Sequence, residues 1–490
     1  MKKIKTSRII ILWFGFVALL HGKEPIPHYD PLVISEDELL ELIKESQRDD
    51  SILSDDIDID TNITETRNSQ TKKPFTFMVF IAADNDLHYF AWKNIKQMEK
   101  IGSNSNINIV IQLNTPGHSN PTKRYLIKQG KRLLVQDQSF NQKLNSGSPH
   151  TLIDFVQWTV NHYPAEEYAL VIWDHATGDV DPGYVKTINP CNLFYRNPTT
   201  NMLEIDRGLS YINLILQCTK NEIYPPKRGM CFDETFKSYI NNHDFEFALH
   251  EIFFKVLNQK KLAIIAFDAC LMSMIGIACA AKKYAHYMVG SQEVEYGTGW
   301  DYEKALHPFL TKSLNPHEFS QHLVHAYEQA YYKITNEYTQ SALNLSLCDS
   351  LEKNINLVAT LLIEAFGNER NQTTNILRKS KSTQYCTCFD EPSYIDLGHF
   401  YKNILQHLQY LTLSDKKKEE QLQQKLKEAI LEGLNIIQSF VIANKTGQKL
   451  KNAHGVSIYF PEHTIVPSYL KSTFALHNNW SSLLEKYIFG

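Results

Sequence analysis

The sequence lacks several features that mark particular classes of protein. It has 50 basic and 54 acidic residues among 490, a formal net charge of −4, and no block basic enough to form an electrostatic surface for nucleic acid. It contains no G-x-x-x-x-G-K-[ST] phosphate loop and no G-x-S-x-G nucleophile elbow. We therefore expect no nucleic-acid partner, and we set P-loop and α/β-hydrolase chemistry aside.

Cysteine and metal-ligand patterns are also sparse. Eight cysteines are few for this length and do not form the framework of a small disulfide scaffold. Cys386 and Cys388 have CxC spacing without a partner pair, a weak metal or redox signal beside the alternative of an ordinary loop or strand. His317, Glu318 and His322 have one residue too many for a zinc-protease helix. The sequence predicts no metal site.

One apolar run, residues 9–20, follows the basic residues Lys2, Lys3, Lys5 and Arg8. Its twelve residues fall short of the ~20 that a membrane-spanning helix needs but suit a secretory signal. We predict a signal peptide over 1–22 and an exported protein, periplasmic or extracellular. The alternative is an uncleaved signal, which would be the chain's only attachment to a membrane.

Beyond the signal, the chain divides by composition. Residues 23–73 are predicted to be a polar linker or prosegment, since 46–73 are acidic and hold few large apolar groups. From residue 74, apolar runs of strand length alternate with helical patterns. The predicted strands are 75–82, 107–113, 168–173, 262–267 and 287–291, and the predicted helices are 87–100, 151–163, 244–259 (capped by Asp244) and 271–284. This alternation predicts an α/β fold with a mostly parallel sheet covered on both faces.

We assign residues 74–305 to this core, with a polar insertion over 176–241, and residues 306–490 to a helix-rich region that packs on it. Apolar residues at three- or four-residue spacing predict an amphipathic helix over 422–441. Residues 453–461 (AHGVSIYFP) read as a late strand. It returns either to the main sheet or to a small C-terminal subdomain.

Two predicted strands end in residues that can perform nucleophilic catalysis together. They are followed by WDH at 173–175 and DAC at 268–270. Carboxyl ends of parallel strands gather functional groups at one edge of the sheet. We expect Cys270 at the N-terminus of the next helix, where the dipole favours a thiolate, and His175 as its acid and base partner. Taken singly, each residue is more often structural.

Four blocks resemble the clostripain-like cysteine peptidases, relatives of caspases. They are FMVFIAADNDL (77–87), YPAEEYALVIWDHATGD (163–179), IAFDACLMSMIGIA (265–278) and YMVGSQEVEYGTGWDY (287–302). The resemblance implies a caspase-like three-layer sandwich and a catalytic dyad of His175 and Cys270. It also implies protein or peptide substrates cleaved after Arg or Lys. No cofactor is required, and any need for calcium rests on the resemblance alone.

The resemblance gives Asp268 the role of binding the basic side chain of the substrate. A guanidinium in a buried pocket needs a carboxylate, which its planar fork contacts bidentately. The alternative is that Asp268 only hydrogen-bonds the strand-to-helix turn. Glu293, Glu295 and Asp301 could also supply the charge, or could be solvated loop residues.

Two positions depart from the family pattern. Ala176 stands where the family usually has Gly, whose N–H, with that of Cys270, would form the oxyanion hole, and Asp179 stands where Trp is usual. Alanine keeps the N–H but reaches positive φ only at a cost, and loss of one oxyanion donor costs ~10²-fold or more in rate. The second reading is therefore a catalytically impaired homologue that acts as a protein-binding module.

The insertion suggests one further site. Lys227 and Arg228 form a basic pair in YPPKRGM, where the prolines favour an extended, accessible chain. A peptidase specific for basic residues would cleave itself there. The alternative is a surface insertion with no processing.

Overall fold

The computed structural model describes residues 35–46, 72–135, 142–180, 193–207 and 229–490. Its strands are β1 (Lys73–Ala82), β2 (Ile107–Asn114), β3 (Lys123–Lys128), β4 (Lys131–Leu134), β5 (Ala165–Trp173), β6 (Phe194–Arg196), β7 (Leu203–Ile205), β8 (Met230–Asp233), β9 (Ser238–Ile240), β10 (Leu262–Asp268), β11 (Ala285–Gly290), β12 (Thr339–Asn344), β13 (Tyr394–Asp396), β14 (Val441–Thr446) and β15 (Ser457–Tyr459).

The α-helices are α1 (Glu36–Ser46), α2 (His88–Ile101), α3 (Pro149–His162), α4 (Asn242–Glu251), α5 (Ile275–Ala281), α6 (Tyr302–Leu306), α7 (Pro316–Tyr331), α8 (Cys348–Asn368), α9 (Arg370–Lys381), α10 (Leu397–His407), α11 (Lys416–Phe440), α12 (Thr473–His477) and α13 (Trp480–Ile488). A π-helical turn, Ile252–Val256, continues α4.

The main sheet has the strand order β14-β12-β11-β10-β5-β1-β2-β3-β4. The five strands from β11 to β2 are mutually parallel, and the strands at both edges are antiparallel. All eight residues of β2 and all seven of β10 are buried, as expected for parallel strands covered on both faces. This confirms the predicted mostly parallel α/β sheet.

Helices cover the sheet in two groups, which gives three layers. One group contains α2, α6 and α7, which contact one another in succession, and α7 also contacts β10, β11, β12 and β14. The other contains α3, α4, α5 and α8, again contacting in succession, and α3 contacts β1. The amphipathic helix α11 packs on α8, and α8 in turn contacts α5, which joins the helix-rich C-terminal region to residues before 305.

The predicted boundaries needed correction in several places. Asn241, rather than Asp244, caps α4: its side-chain oxygen accepts the backbone N–H of Asp244. Helix α11 ends at Phe440, because the chain turns there into β14, which pairs with β12 and extends the main sheet. The late strand β15 does not join that sheet and pairs with β13.

The predicted linker and the predicted insertion both contain some regular structure. Helix α1 lies within the predicted linker, packs on α2 and buries Leu42. Within the insertion, β6 pairs with β7 and β8 with β9. The predicted signal peptide and the basic pair Lys227 and Arg228 lie outside the described residues. Within the described ranges, no helix has the length and apolar character needed to cross a bilayer.

Candidate active site

The site lies where three adjacent parallel strands end. In the register of the sheet, Ile81 of β1 pairs with Trp173 of β5, which pairs with Asp268 of β10. The residues that follow each strand therefore meet at one edge. They surround a small cavity that is lined by His175 and Cys270 together with Asp268. The structure thus brings the sequence-predicted pair and its predicted carboxylate to one place.

His175 is almost fully buried, and its Nε2 lies 2.8 Å from Oδ1 of Asp86. Its ring also contacts the edge of Phe232. Burial lowers the pKa of His175, but the charge and hydrogen bond of Asp86, together with the charges of Asp174 and Glu234, outweigh this effect and raise it. Asp86 stands in the ADNDL block, but no pattern in the sequence connects it with His175, which lies 89 positions further along the chain.

Cys270 is buried, and its Sγ accepts the backbone N–H of Glu295 at 3.2 Å. Burial raises the pKa of the thiol well above its usual value, although that N–H acts in the opposite direction. The expected thiolate at a helix N-terminus is therefore wrong for this structure. Helix α5 begins only at Ile275, several residues beyond the cysteine.

The turn after Cys270 is held in an unusual conformation. Leu271 has φ +63°, which costs a bulky side chain roughly 1–2 kcal/mol. Its backbone N–H donates to the carbonyl of Glu293 at 3.2 Å, and Ser273 N–H donates to the carbonyl of Ser291 at 2.8 Å. The loop after β11 thus holds the turn after Cys270 and, through the Glu295 N–H, contacts the sulfur atom of Cys270.

Asp268 forms a buried carboxyl pair with Glu295. Both residues are at most 5% exposed, and their side chains are hydrogen-bonded to each other. The Asp268 carboxylate also accepts the Trp300 N–H at 3.1 Å and the Tyr302 hydroxyl at 2.9 Å. A Cβ at Gly299, where φ is +60°, would lie 2.6 Å from Asp268 Oδ1, so this approach requires glycine.

The electrostatics of this carboxyl pair favour one shared proton. Burial raises the pKa of both groups, and the Asp268 charge raises the pKa of Glu295 further. Glu295 therefore holds the proton more tightly. Both carboxyls line the same cavity as Cys270.

The other carboxylates considered from sequence have different surroundings. Glu293 is fully buried and pairs with Arg207 at 2.9 Å. Asp301 caps α6 by accepting the N–H of Lys304 and also pairs with the Lys304 ammonium. Both acids thus have a cation as partner. In the described structure, Asp268 and Glu295 have hydrogen-bond partners but no ion pair with a cation.

Asn94 of α2 makes hydrogen bonds that support the site, and the sequence analysis did not predict this role. It is fully buried, and its Oδ1 accepts the Trp173 indole N–H at 2.8 Å. Its Nδ2 donates to the carbonyls of Thr298 and Trp300 at 3.2 and 3.0 Å. One amide therefore connects the end of β5 to the loop that carries Gly299.

Comparison with known proteins shows the family to which the chain belongs. A sequence model of the clostripain family, peptidase family C11, matches residues 79–205 and 217–487. The chain belongs to the clostripain family. That family assignment confirms the resemblance seen in the four sequence blocks.

Individual relatives are distant. Clostripain of Hathewaya histolytica is 22% identical over an alignment of 270 positions that covers 49% of this chain and 43% of that protein, so the match spans less than half of the relative. A secreted C11 cysteine protease of Bacteroides thetaiotaomicron with an irreversible peptide inhibitor superposes with a TM-score of 0.52 at 18% identity, covering 84% of this chain and 99% of that one. An inactive zymogen C11 protease of Parabacteroides distasonis gives 0.52 at 16%, covering 86% and 100%. These structures support the fold.

Ala176, the first departure from the clostripain pattern, is fully buried and forms an isolated antiparallel bridge with Met230. Its φ is not positive, so alanine is not strained at this position. Ala176 does not belong to the residues that line the cavity. Its predicted role as an oxyanion donor stays a prediction.

Asp179, the second departure, is buried, and its carboxylate accepts the N–H groups of Gly276 and Ile277 at the start of α5. A Cβ at Gly276 would lie 2.3 Å from Asp179 Oδ1, so the contact is close. The N–H groups that we expected to favour a Cys270 thiolate thus bind Asp179 instead.

The cysteines and histidines with metal-ligand spacing in the sequence do not line the cavity. Among the described residues, no group of three or more His, Cys, Asp or Glu side chains has the geometry to hold a metal ion. Cys386 and Cys388 lie in the loop before β13, and Cys388 forms a backbone bridge with Ile395. His317 and His322 belong to α7, where His322 Nε2 lies 2.9 Å from the carbonyl oxygen of Lys304.

Asp179 generates a pH-dependent prediction. Burial raises its pKa from 3.8 to about 7, so the folded state binds a proton that the unfolded state releases between these values. The free energy of unfolding contributed by Asp179 therefore falls as pH rises from about 4 to 7. We expect Asp179→Asn, which keeps an oxygen acceptor for the α5 N–H groups, to have a higher Tm relative to wild type at pH 8 than at pH 5.

The measurement is thermal unfolding of both proteins across pH 4 to 9, with the exposed Asp349→Asn variant as a control for loss of one carboxylate. Parallel Tm curves for wild type and Asp179→Asn would show that Asp179 titrates normally, contrary to this prediction.

Proposed function

We propose that the chain is an exported cysteine endopeptidase that cleaves peptide bonds after Arg or Lys, with His175 and Cys270 as its catalytic pair. The observation that carries the proposal is the shared cavity. It is lined by an imidazole, a thiol and a carboxyl pair that has no cationic partner among the described residues. The membership of the clostripain family supports the same chemistry.

The chemistry begins from a neutral thiol, because burial raises the Cys270 pKa. His175 accepts the thiol proton as the sulfur attacks the substrate carbonyl, which forms a tetrahedral oxyanion. The C–N bond then breaks, and the imidazolium gives its proton to the departing amine, leaving an acyl-enzyme on Cys270. Water, deprotonated by His175, hydrolyses the thioester. The backbone N–H groups of Cys270 and Ala176 are the proposed oxyanion donors.

Specificity for basic residues follows from the carboxyl pair. A substrate guanidinium or ammonium would pair with the Asp268 carboxylate, and its positive charge would lower the pKa of Glu295, whose proton would pass to solvent. The cavity measures about 20 Å³, room for roughly one water molecule. A Lys or Arg side chain is much larger, so the loop of residues 295–299 must move outward when substrate binds.

Export rests on the basic and apolar pattern of residues 1–22. We propose that the enzyme acts on proteins outside the cytoplasm, in the periplasm or beyond the cell, without a cofactor in the chemical step. Calcium would act, if at all, on stability or loop position, since both the nucleophile and the base are side chains of this chain.

The central test is hydrolysis of fluorogenic peptides ending in Arg, Lys, Asp or Leu by the full chain. We expect cleavage after Arg and Lys that is lost in Cys270→Ala and His175→Ala. Asp268→Asn should reduce kcat/KM for Arg by about 30-fold or more, because removal of one partner of a buried charge pair costs about 2 kcal/mol or more. Activity on Leu, if measurable, should change little.

Two isosteric variants sharpen this result. Glu295→Gln should weaken the Arg preference, whereas Asp301→Asn should not, because asparagine preserves the α6 cap and Asp301 already has a lysine partner. If Asp301→Asn reduced kcat/KM for Arg as much as Asp268→Asn does, the pocket for the basic side chain would not lie at the buried carboxyl pair. No turnover by folded, reduced protein, with and without calcium and after limited trypsin cleavage, would favour the binding-module reading.

We also propose that the enzyme processes itself after Lys227 or Arg228. The next residues along the chain, Gly229 and Met230, lie beside the His175 strand end: Met230 pairs with Ala176, and the Gly229 carbonyl accepts the Thr177 hydroxyl at 3.4 Å. The peptide bonds after Lys227 and Arg228 are therefore adjacent, along the chain, to residues that pack next to the catalytic histidine.

Processing predicts two fragments from the wild-type chain and one intact chain from Cys270→Ala. The double variant Lys227→Ala with Arg228→Ala should also stay intact, while peptide mapping of wild type should place the new N-terminus at Arg228 or Gly229. Full activity in a wild-type chain that remains intact would remove the proposal.

A further inference from the structure

Asp86 occupies a defined place between β1 and α2. Its Oδ1 lies 2.8 Å from His175 Nε2, and its side chain is 27% exposed while the imidazole is 1% exposed. A carboxylate in contact with a buried ring is a strong acceptor, because an ionised partner makes the hydrogen bond shorter and stronger.

The backbone around Asp86 is fixed by its neighbour. Asn85 is buried, and its Nδ2 donates to the carbonyl of Ala82 at 3.0 Å, to Asp174 Oδ1 at 2.6 Å and to the carbonyl of Phe232 at 3.1 Å. Asn85 thus joins the loop after β1 directly to the residue before His175. These hydrogen bonds hold the backbone of the loop that carries Asp86, and the loop places the Asp86 carboxylate beside His175.

Three acidic groups act on the His175 ring. They are Asp86, Asp174 and Glu234, and Asp86 has the strongest influence. Asp174 is fully buried, which raises its pKa, and its oxygens accept hydrogen bonds from Asn85 and from the Phe232 N–H. Asp268 and Glu295 face the same cavity as His175. Asp86 is therefore the carboxylate that directly orients the imidazole.

We propose that Asp86 is a positioning residue for His175, the third member of the catalytic arrangement, which holds the neutral imidazole as the tautomer protonated at Nε2. This inference rests on the proposed peptidase function. A neutral imidazole carries one proton on two nitrogens, so donation from Nε2 to Asp86 puts the lone pair on Nδ1. Nδ1 is then the atom that receives the proton of Cys270.

The same contact stabilises the imidazolium that forms during attack. Without the carboxylate, the ring would lose both its orientation and the charge that supports its protonated form. The consequence should appear in the chemical step and in the pH at which His175 titrates, and much less in substrate binding.

The first experiment reads the ring directly. NMR of the full chain with selectively ¹⁵N-labelled histidine, with His175→Gln used for assignment, gives the tautomer and the pKa of His175. We expect the Nε2–H tautomer in wild type, and a lower His175 pKa in Asp86→Asn. An Nδ1–H tautomer in wild type, or an unchanged pKa in the variant, would overturn the inference whether or not the protein is active.

The second experiment is kinetic. Asp86→Asn should lower kcat by about 10- to 100-fold with little change in KM, and should move the acid limb of the kcat/KM profile to lower pH. Asp86→Glu, which restores a carboxylate, should recover part of the rate. Asp154→Asn, which removes an exposed carboxylate that pairs with Arg124, is the matched control and should behave as wild type.

The two proposals fail in different ways. A wild-type chain without turnover contradicts the peptidase proposal, and the NMR result then decides the role of Asp86 alone. An active wild type whose rate and pH profile are unchanged by Asp86→Asn contradicts the positioning role. Equal melting temperatures of wild type and variant keep a folding defect from imitating the predicted loss.

Discussion

The parallel pairing of β1, β5 and β10 is the constraint on which the rest of this structure depends. Parallel neighbours end at the same edge, so residues almost a hundred positions apart are placed side by side. Asp86 follows β1, His175 follows β5, and Cys270 follows β10. A shift of one residue in either register would turn these strand ends to different faces of the sheet. The register of the sheet therefore determines which residues meet at the site.

Burial at this edge controls the charge of each group. Burial raises the pKa of the Cys270 thiol and of both carboxyls in the Asp268 and Glu295 pair, which favours their neutral forms. His175 is the exception, since Asp86 offsets the cost of burying its charge. In this arrangement the side chains of the site are already in place, and burial favours the neutral forms of the thiol and of the carboxyl pair. A cation that entered the cavity would lower the pKa of both carboxyls.

The sequence allowed the fold to be predicted because its signals are local. Most positions in β1, β2 and β10 are apolar, and every position of β2 and β10 is buried, as expected for parallel strands in a sheet covered on both faces. His175 and Cys270 could be singled out because each directly follows one of these strands. The family blocks then joined them to one function.

What could not be predicted depends on contacts distant in the sequence. The thiolate expectation failed because α5 starts later than its apolar pattern suggests, and Asp179 binds the N–H groups there. Asp86 and Asn94 look like ordinary polar residues until the sheet and α2 are assembled. The link between Glu295 and both Cys270 and Asp268 arises from the loop after β11, whose path has no periodic signal.

The most direct test of the central claim, that Cys270 faces a pocket selective for a positive charge, is covalent labelling by a peptidyl electrophile with lysine at the cleavage position. The account predicts one adduct per chain, mapped by mass spectrometry to Cys270. It also predicts much slower labelling when norleucine replaces lysine, and none in Cys270→Ala. Labelling of a different cysteine, or equal rates with lysine and norleucine, would contradict it.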